Sequence, residues 1–435
     1  MSAENLGLLG VGVLFVLLAL RVHIGLAMAL VGLGGYSLVV GWDPALSVAG
    51  MTPYAAGSNY MLSVIPLFVL MGQFAFVSGL SRDIYRTVHT WLGHLPGGMA
   101  IATVVGCAGF ASICGSSLAT AATMGTVAMP EMRKFGYDKA LSSGCVAAGG
   151  TLGILIPPSI GFVIYGLLIE ESIGKLFMAG VIPGVLLSFL FILTILYQCL
   201  RRPELGPRGP VHTMAQRFHS LGGVWGMLVL CVLVIGGIYL GVFTPTEAAG
   251  VGAFGAFIIA LLKRTLNPGT VVQCLMATGK TTAMIFLIIV GAELLSRFLA
   301  VTQLPMHLAD LLSGLSTSRY LILVAILLLY LALGCVMDCF AIMILTTPIL
   351  FPVIKSLGFD PIWYGVMMVI VLEMGLITPP VGMNVFVIGG VAPDIPMTTV
   401  FKGIWPFFIA CCVALVLLTV FPQLATFIPS QMSAK

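Results

Sequence analysis

"EMGLITPPVGMNVF", residues 373–386, lies inside an apolar stretch long enough to form one membrane helix, yet two adjacent prolines sit near its middle. Proline lacks a backbone N–H, and its ring clashes with the carbonyl one turn earlier, so a pair of prolines breaks a helix. "GGTLGILIPPSIGF", residues 149–162, repeats the pattern in the first half of the chain. Backbone groups left unpaired in hydrocarbon are costly, and irregular backbone persists at membrane depth only where protein or a cavity covers it. Two such breaks call for a purpose.

The surrounding composition is that of a membrane protein. Of 435 residues, 60% are hydrophobic and 8% charged, against about 25% charged in a soluble domain. Apolar runs such as "LGVGVLFVLLAL" (9–20) recur along the chain, and a span needs roughly 20 such residues. The alternation expected of a membrane β-barrel is absent. Residues 1–8, "MSAENLGL", lack the basic segment of a signal peptide, so the first apolar run reads as a retained span. The ten cysteines fall mostly in apolar segments without a C-x-x-C, as small buried hydrophobes do, and imply neither disulfides nor zinc. "ATGKTT" (277–282) resembles the end of a phosphate-binding loop, but Cys274 occupies the required earlier glycine position. No His/Glu or Ser/His constellation suggests an enzyme, and nothing suggests nucleic-acid binding.

A shift of 222 positions carries Pro157 and Pro158 onto Pro379 and Pro380, Gly153 onto Gly375, and "PEMRKFGYD" (130–138) onto "PVIKSLGFD" (352–360). So many coincident glycines and prolines indicate an internal repeat. The expected organisation is a first repeat over 1–200, a polar cytoplasmic linker over 201–220, and a second repeat over 221–435. Spans are expected near 6–20, 23–40, 61–79, 140–169 and 176–200, then near 221–241, 246–262, 276–299, 362–390 and 403–428. Between them, 97–134 and 321–354 each have the length of a helical hairpin, with tips "SICGSS" (112–117) and "GCVMDC" (334–339). Five crossings per repeat is an odd number, so the second repeat should be inverted. With the linker inside, 14 of the 19 Lys and Arg fall in inner loops, Arg21 among them, and five outside, Lys435 among them; this is the expected bias. Both chain ends are then periplasmic. The fold class expected is an all-α polytopic membrane protein with inverted repeats, two re-entrant hairpins and two broken helices.

Broken spans and hairpin tips meeting near the bilayer midplane would expose carbonyls and helix N-termini to an ion and an anionic substrate. The tips and breaks offer Ser112, Ser116, Ser117, Thr120, Thr123, Thr151 and Ser159 in the first half, and Asp338, Thr378 and Asn384 in the second. Neutral oxygens with one carboxylate suit Na⁺ and not a transition metal. Ser116, Ser117 and Asp338 are also good helix N-caps, and Thr151 and Thr378 could simply satisfy carbonyls freed by the breaks.

Three blocks, "CGSSLATAATMGTVAMPEMRKFGYDKALSSGCVAAGGTLGILIPPSIGFVIYG", "FTPTEAAGVGA" (243–253) and "DCFAIMILTTPILFPV" with "GLITPPVGMNVFV", resemble the large membrane subunit of TRAP transporters, the DctM-like family. The resemblance covers essentially the whole chain. It implies a sodium-coupled secondary transporter in a bacterial inner membrane, with an elevator-type transport domain moving against a scaffold. It further implies a small four-helix membrane subunit, a soluble periplasmic substrate-binding protein, and an organic-acid cargo such as a C4-dicarboxylate or sialic acid. Since few residues precede the first span, the small subunit is expected as a separate chain.

Carried over by motif, the sodium sites would use Ser112, Ser116, Gly149, Gly150, Thr151 and Pro157, then Gly334, Asp338, Gly375, Thr378 and Pro380. The substrate would meet Ser117, Ser159 and Asp338, with Arg297 as partner for a carboxylate unless Glu293, one turn earlier, pairs with it. Glu247 in "TPTEAAG" is expected to be structural. Na⁺ is the coupling ion implied, with no other cofactor. The alternative is a stand-alone sodium–carboxylate symporter of similar fold, which would need no binding protein.

Overall fold

The computed structural model describes residues 3–20, 22–307 and 318–432; Arg21 and Lys435, counted in the charge bias, lie outside them. Every regular element among the described residues is helical, as lipid requires of a chain that does not close into a barrel. Among the described residues six helices are long and apolar enough to cross a membrane, or up to eight if each bent pair is one span. The protein is a multi-pass integral membrane protein.

The helices pack as two groups. One contains Ala3–Ala19, Ile24–Val40, Val64–Val77, Pro245–Leu262 and Pro268–Thr302. Gly25 and Gly291 bring Ile24–Val40 and Pro268–Thr302 into backbone contact, the way small residues hold membrane helices together where no hydrophobic force separates them from lipid. The other group contains two helical hairpins, Gly98–Cys114 with Ser117–Lys134 and Arg319–Gly334 with Cys339–Ser356. It also contains the segments on either side of each proline pair and the long helices Ile173–Arg201 and Met397–Val420. The helix Lys139–Gly150 continues as Leu152–Leu155, stops, and resumes as Ile160–Ile169 with a 41° bend. Pro361–Leu376 stops likewise and resumes as Met383–Val391.

Besides the short helix Met214–Leu221 in the linker, two helices have no counterpart in the span assignment from sequence. Leu80–Leu92 is amphipathic, with buried Leu80, Ile84 and Tyr85 against exposed Arg82 and Arg86, and it packs on the first hairpin. Trp42–Ser58 carries Asp43 and Pro53 and is interrupted at Asn59, whose side chain accepts from Met61 N at 3.0 Å. The shift of 222 maps most of this helix, together with the one resuming at Tyr60, onto the single 35-residue helix Pro268–Thr302. That helix rises about 52 Å at 1.5 Å per residue, well beyond a hydrocarbon core of about 30 Å. The second half thus runs as one rod where the first half has a joint.

The linker is tied down. Gly97 N donates to Gly206 O (3.0 Å), Asp138 N to Leu205 O (3.0 Å) and the Tyr137 hydroxyl to Pro207 O (2.9 Å), so 205–207 staple the base of the first hairpin. Thr87 Oγ1 donates to Ser220 O and Trp91 Nε1 to Arg217 O, fixing the amphipathic helix to the same segment.

Candidate functional site

Each hairpin tip lies against the break of its own half. At the first tip, Gly115 adopts φ +65°, and its carbonyl accepts from Ile160 N at 3.5 Å, just past the proline pair. A Cβ on Gly153 would lie 2.5 Å from Ser116 O, so tip and break touch through backbone. At the second tip, Cys335 O accepts from Val381 N at 3.2 Å, again just past the proline pair. A Cβ on Gly375 would lie 2.5 Å from Gly334 Cα and 2.7 Å from Gly334 C. Both proline pairs contain a cis peptide bond.

The halves then interlock crosswise. The descending helix of the second hairpin, Cys339–Ser356, packs on Ile160–Ile169 of the first half, and that of the first, Ser117–Lys134, packs on Met383–Val391 of the second. The Asn384 amide donates to Ala147 O across the same boundary at 3.4 Å, while its Oδ1 is buried and unpartnered. Tyr165 donates to Pro361 O at 2.8 Å. All four irregular segments are therefore gathered into one packed body.

The expected sodium-site residues fall within this body. Ser112 is buried and donates to Gly109 O at 2.7 Å. Ser116 caps Ser117–Lys134, accepting from Ala119 N at 3.4 Å, and its carbonyl accepts from the Thr120 hydroxyl at 2.8 Å. Gly149 and Gly150 sit where a Cβ would lie 2.7 Å from Cys107 Sγ and from Ala121 Cβ respectively, so both let the broken span approach the first hairpin. Thr151 is buried and donates to Ala148 O at 2.6 Å; Thr378, just past the end of Pro361–Leu376, donates to Met374 O at 2.6 Å. Both carbonyls also accept a backbone N–H, Ala148 O from Thr151 N at 3.0 Å and Met374 O from Ile377 N at 3.2 Å, so the hydroxyls add a second bond and do not rescue an orphaned carbonyl. Pro157 is buried and Pro380 exposed. Gly334 and Gly375 form the second contact already described. Asp338 is half-buried and caps Cys339–Ser356, its Oδ2 accepting from Phe340 N (3.1 Å) and Ala341 N (3.4 Å).

Of the expected substrate residues, Ser117 and Ser159 are fully buried, and Ser159 caps Ile160–Ile169 by accepting from Phe162 N at 3.2 Å. Arg297 stands apart. It is exposed on Pro268–Thr302, in the other helix group, and forms no ion pair with Glu293. Glu293 and Ser296 on the same helix instead line a crevice of about 400 Å³ together with Asn59 and Thr347, between that helix and the second hairpin. Glu247 completes a capping box with Thr244 at the start of Pro245–Leu262, a structural part.

One residue was missed although it stands in the first quoted motif. Glu373 is 2% exposed, and neither carboxylate oxygen has a hydrogen-bond partner. The available signal was an acid inside an apolar helix.

This geometry defines a class: a polytopic helical protein that collects its irregular backbone and its few intramembrane polar groups at one contact, an arrangement used by secondary transporters. The fold agrees. The YdaH transporter of Alcanivorax borkumensis, whose topology is described as unusual, superposes with a TM-score of 0.66 over 88% of this chain and 89% of that one, at 17% identity. Residues 11–424 match the family model for the DctM component of the tripartite ATP-independent periplasmic transporter. The chain is 36% identical over 401 residues to the C4-dicarboxylate TRAP transporter large permease protein DctM of Pseudomonas aeruginosa, covering 92% of this chain and 93% of that one. It is 35% identical over 388 residues to the isethionate TRAP transporter permease protein DctMQ of Oleidesulfovibrio alaskensis, covering 88% of this chain and 60% of the relative. The chain belongs to the DctM family, the large membrane component of TRAP transporters, and is a transport protein, not an enzyme. Transporters of this family work with a periplasmic binding protein and a small membrane subunit.

Proposed function

We propose that this chain takes up a small carboxylate, driven by sodium, with the hairpin-bearing group moving as a unit against the other helices. The observation that supports it best is the pair of tip-to-break contacts, Gly115 with Ile160 and Cys335 with Val381, each leaving backbone and hydroxyl oxygens beside a helix end. Such oxygens replace the hydration shell of a hard cation. The first-half ion site is assigned to Ser112, Ser116, Gly149, Gly150, Thr151 and Pro157, and the second to Gly334, Asp338, Gly375, Thr378 and Pro380.

A small acid is the cargo class favoured, since the relatives named for C4-dicarboxylate and isethionate both carry anions. Ser117, Ser159 and Asp338 provide hydrogen-bonding groups for it, and Arg297 on the facing group provides a cation. The two repeats are placed in the bilayer with opposite orientation, the linker inside and both ends periplasmic. The small subunit is a separate chain, and a soluble binding protein delivers the acid.

Uptake into proteoliposomes tests this directly. The chain is reconstituted with and without the small subunit and binding protein from the same genome, under an inward sodium gradient or none. The expected result is uptake only with all parts and sodium. Uptake by this chain alone would replace the tripartite reading with a stand-alone symporter, and uptake indifferent to sodium would remove the coupling ion.

A further inference from the structure

The amphipathic helix Leu80–Leu92 and the first hairpin enclose a cavity of about 520 Å³. Arg82, Tyr85, Arg86 and His89 line one side, and Thr126 and Glu131 of the descending helix line the other. Arg82, Arg86 and Thr126 are exposed, whereas Tyr85 is 3% exposed. The Tyr85 hydroxyl is buried and has no hydrogen-bond partner among the described residues, the neighbouring Thr103 hydroxyl being turned to Met99 O at 2.8 Å. Its ring stacks on His89, with centroids 6.3 Å apart and planes 9° from parallel.

Charge in this cavity is unbalanced. Among the described residues neither Arg82 nor Arg86 forms an ion pair, and Glu131, the acid in the lining, is taken by Lys134 at 2.6 Å. Like charges four residues apart on a helix repel, so the arginines do not serve the helix itself. The shift of 222 carries them onto Leu304 and Leu308, so the pair belongs to the first half alone. Basic residues on an inner face need no ligand to account for them. A buried tyrosine hydroxyl without a partner does, and an anion would answer all three groups. Guanidinium forks bind a carboxylate through two parallel hydrogen bonds, and the phenol donates one more.

We propose that Arg82, Arg86 and Tyr85 hold the carboxylate of a small organic acid on the inner side of the first hairpin. This rests on the carboxylate-uptake reading above and on its orientation. Ser117, assigned there to the substrate, begins the helix that carries Thr126, about 14 Å further along at 1.5 Å per residue. An acid released inward along that helix reaches this site.

The test places Thr126→Cys in an otherwise cysteine-free chain, purified with its small subunit, and follows its modification by a thiol reagent. The probes are potassium succinate and inorganic phosphate, against potassium chloride at equal ionic strength and without sodium. Succinate should slow the modification. Arg82→Gln with Arg86→Gln should need about tenfold more succinate for the same protection, and Tyr85→Phe about threefold more. Arg82→Lys with Arg86→Lys, which keeps the inner charge but loses the forks, should fall between wild type and the glutamine pair. If the glutamine pair does not fold, the lysine pair decides. No protection by succinate, protection by phosphate alone, or protection unchanged in the arginine variants overturns the proposal. So does protection that requires sodium, which would assign the effect to the coupled site. The assay uses neither sodium nor uptake, so its failure and that of the transport reading are distinguishable.

Discussion

Pro157 and Pro158 are buried; Pro379 and Pro380, at the equivalent positions, are exposed. The first break is covered on all sides and offers only neutral oxygens, from Ser112, Ser116, Thr151 and Ser159. The second break is open at its proline turn and carries Asp338 and Glu373. The comparison separates what the repeat keeps from what it varies. Helix ends, a threonine hydroxyl bonded back to a carbonyl near the break (Thr151 and Thr378, five residues apart in the alignment frame) and a stitch from tip to break occur in both halves. Charge does not. The backbone builds two matching frames, and the side chains furnish one with hydroxyls alone and the other with two carboxyl groups as well.

The largest effect should come from closing the space that both frames need. Gly375→Ala sets a methyl against the backbone of Gly334, and Gly153→Ala sets one against Ser116 O. Neither neighbour is a flexible side-chain end, so each should cost about 1–3 kcal/mol and abolish uptake. Thermal midpoints and uptake of the two variants would check it. Loss in one half only would break the equivalence of the frames.

The next effect concerns charge alone. Asp338→Ser copies the first half, since Ser116 stands at the equivalent position. Serine caps nearly as well as aspartate, so expression and stability should hold while sodium dependence of uptake weakens sharply. Unchanged sodium dependence would leave Asp338 a cap and nothing more. A smaller effect is expected from Arg297→Ala, because that side chain lies outside the packed body. It should raise the concentration of acidic substrate needed for half-maximal uptake without altering the sodium requirement. A folding defect, or no change in substrate response, would remove Arg297 from the site.

Much of the frame was legible because proline and glycine act locally. The proline pairs locate the helix stops after Leu155 and Leu376, and the "SICGSS" and "GCVMDC" tips fall at the turns between helices ending at Cys114 and Gly334 and those starting at Ser117 and Cys339. Asp338 was legible as an acid at a tip. What escaped was set by partners distant in the chain. Leu80–Leu92 was hidden because a search for long apolar runs is blind to an amphipathic helix. Trp42–Ser58 was hidden by its Asp43 and Pro53. Glu373 was overlooked because its burial is produced by helices packed around Pro361–Leu376 from elsewhere in the chain. The crosswise packing of each hairpin on the other half has no local signature at all.

The central claim is that two like frames stand in the membrane with opposite orientation and meet at one site. Lys134 and Ser356 are exposed, equivalent under the shift of 222, and follow the two hairpins. Lys134→Cys and Ser356→Cys, each in an otherwise cysteine-free chain, should be labelled in intact cells or right-side-out vesicles by a membrane-impermeant thiol reagent. The account predicts that Ser356→Cys reacts from outside and that Lys134→Cys reacts only after the membrane is opened. Labelling of both positions from the same side would contradict it.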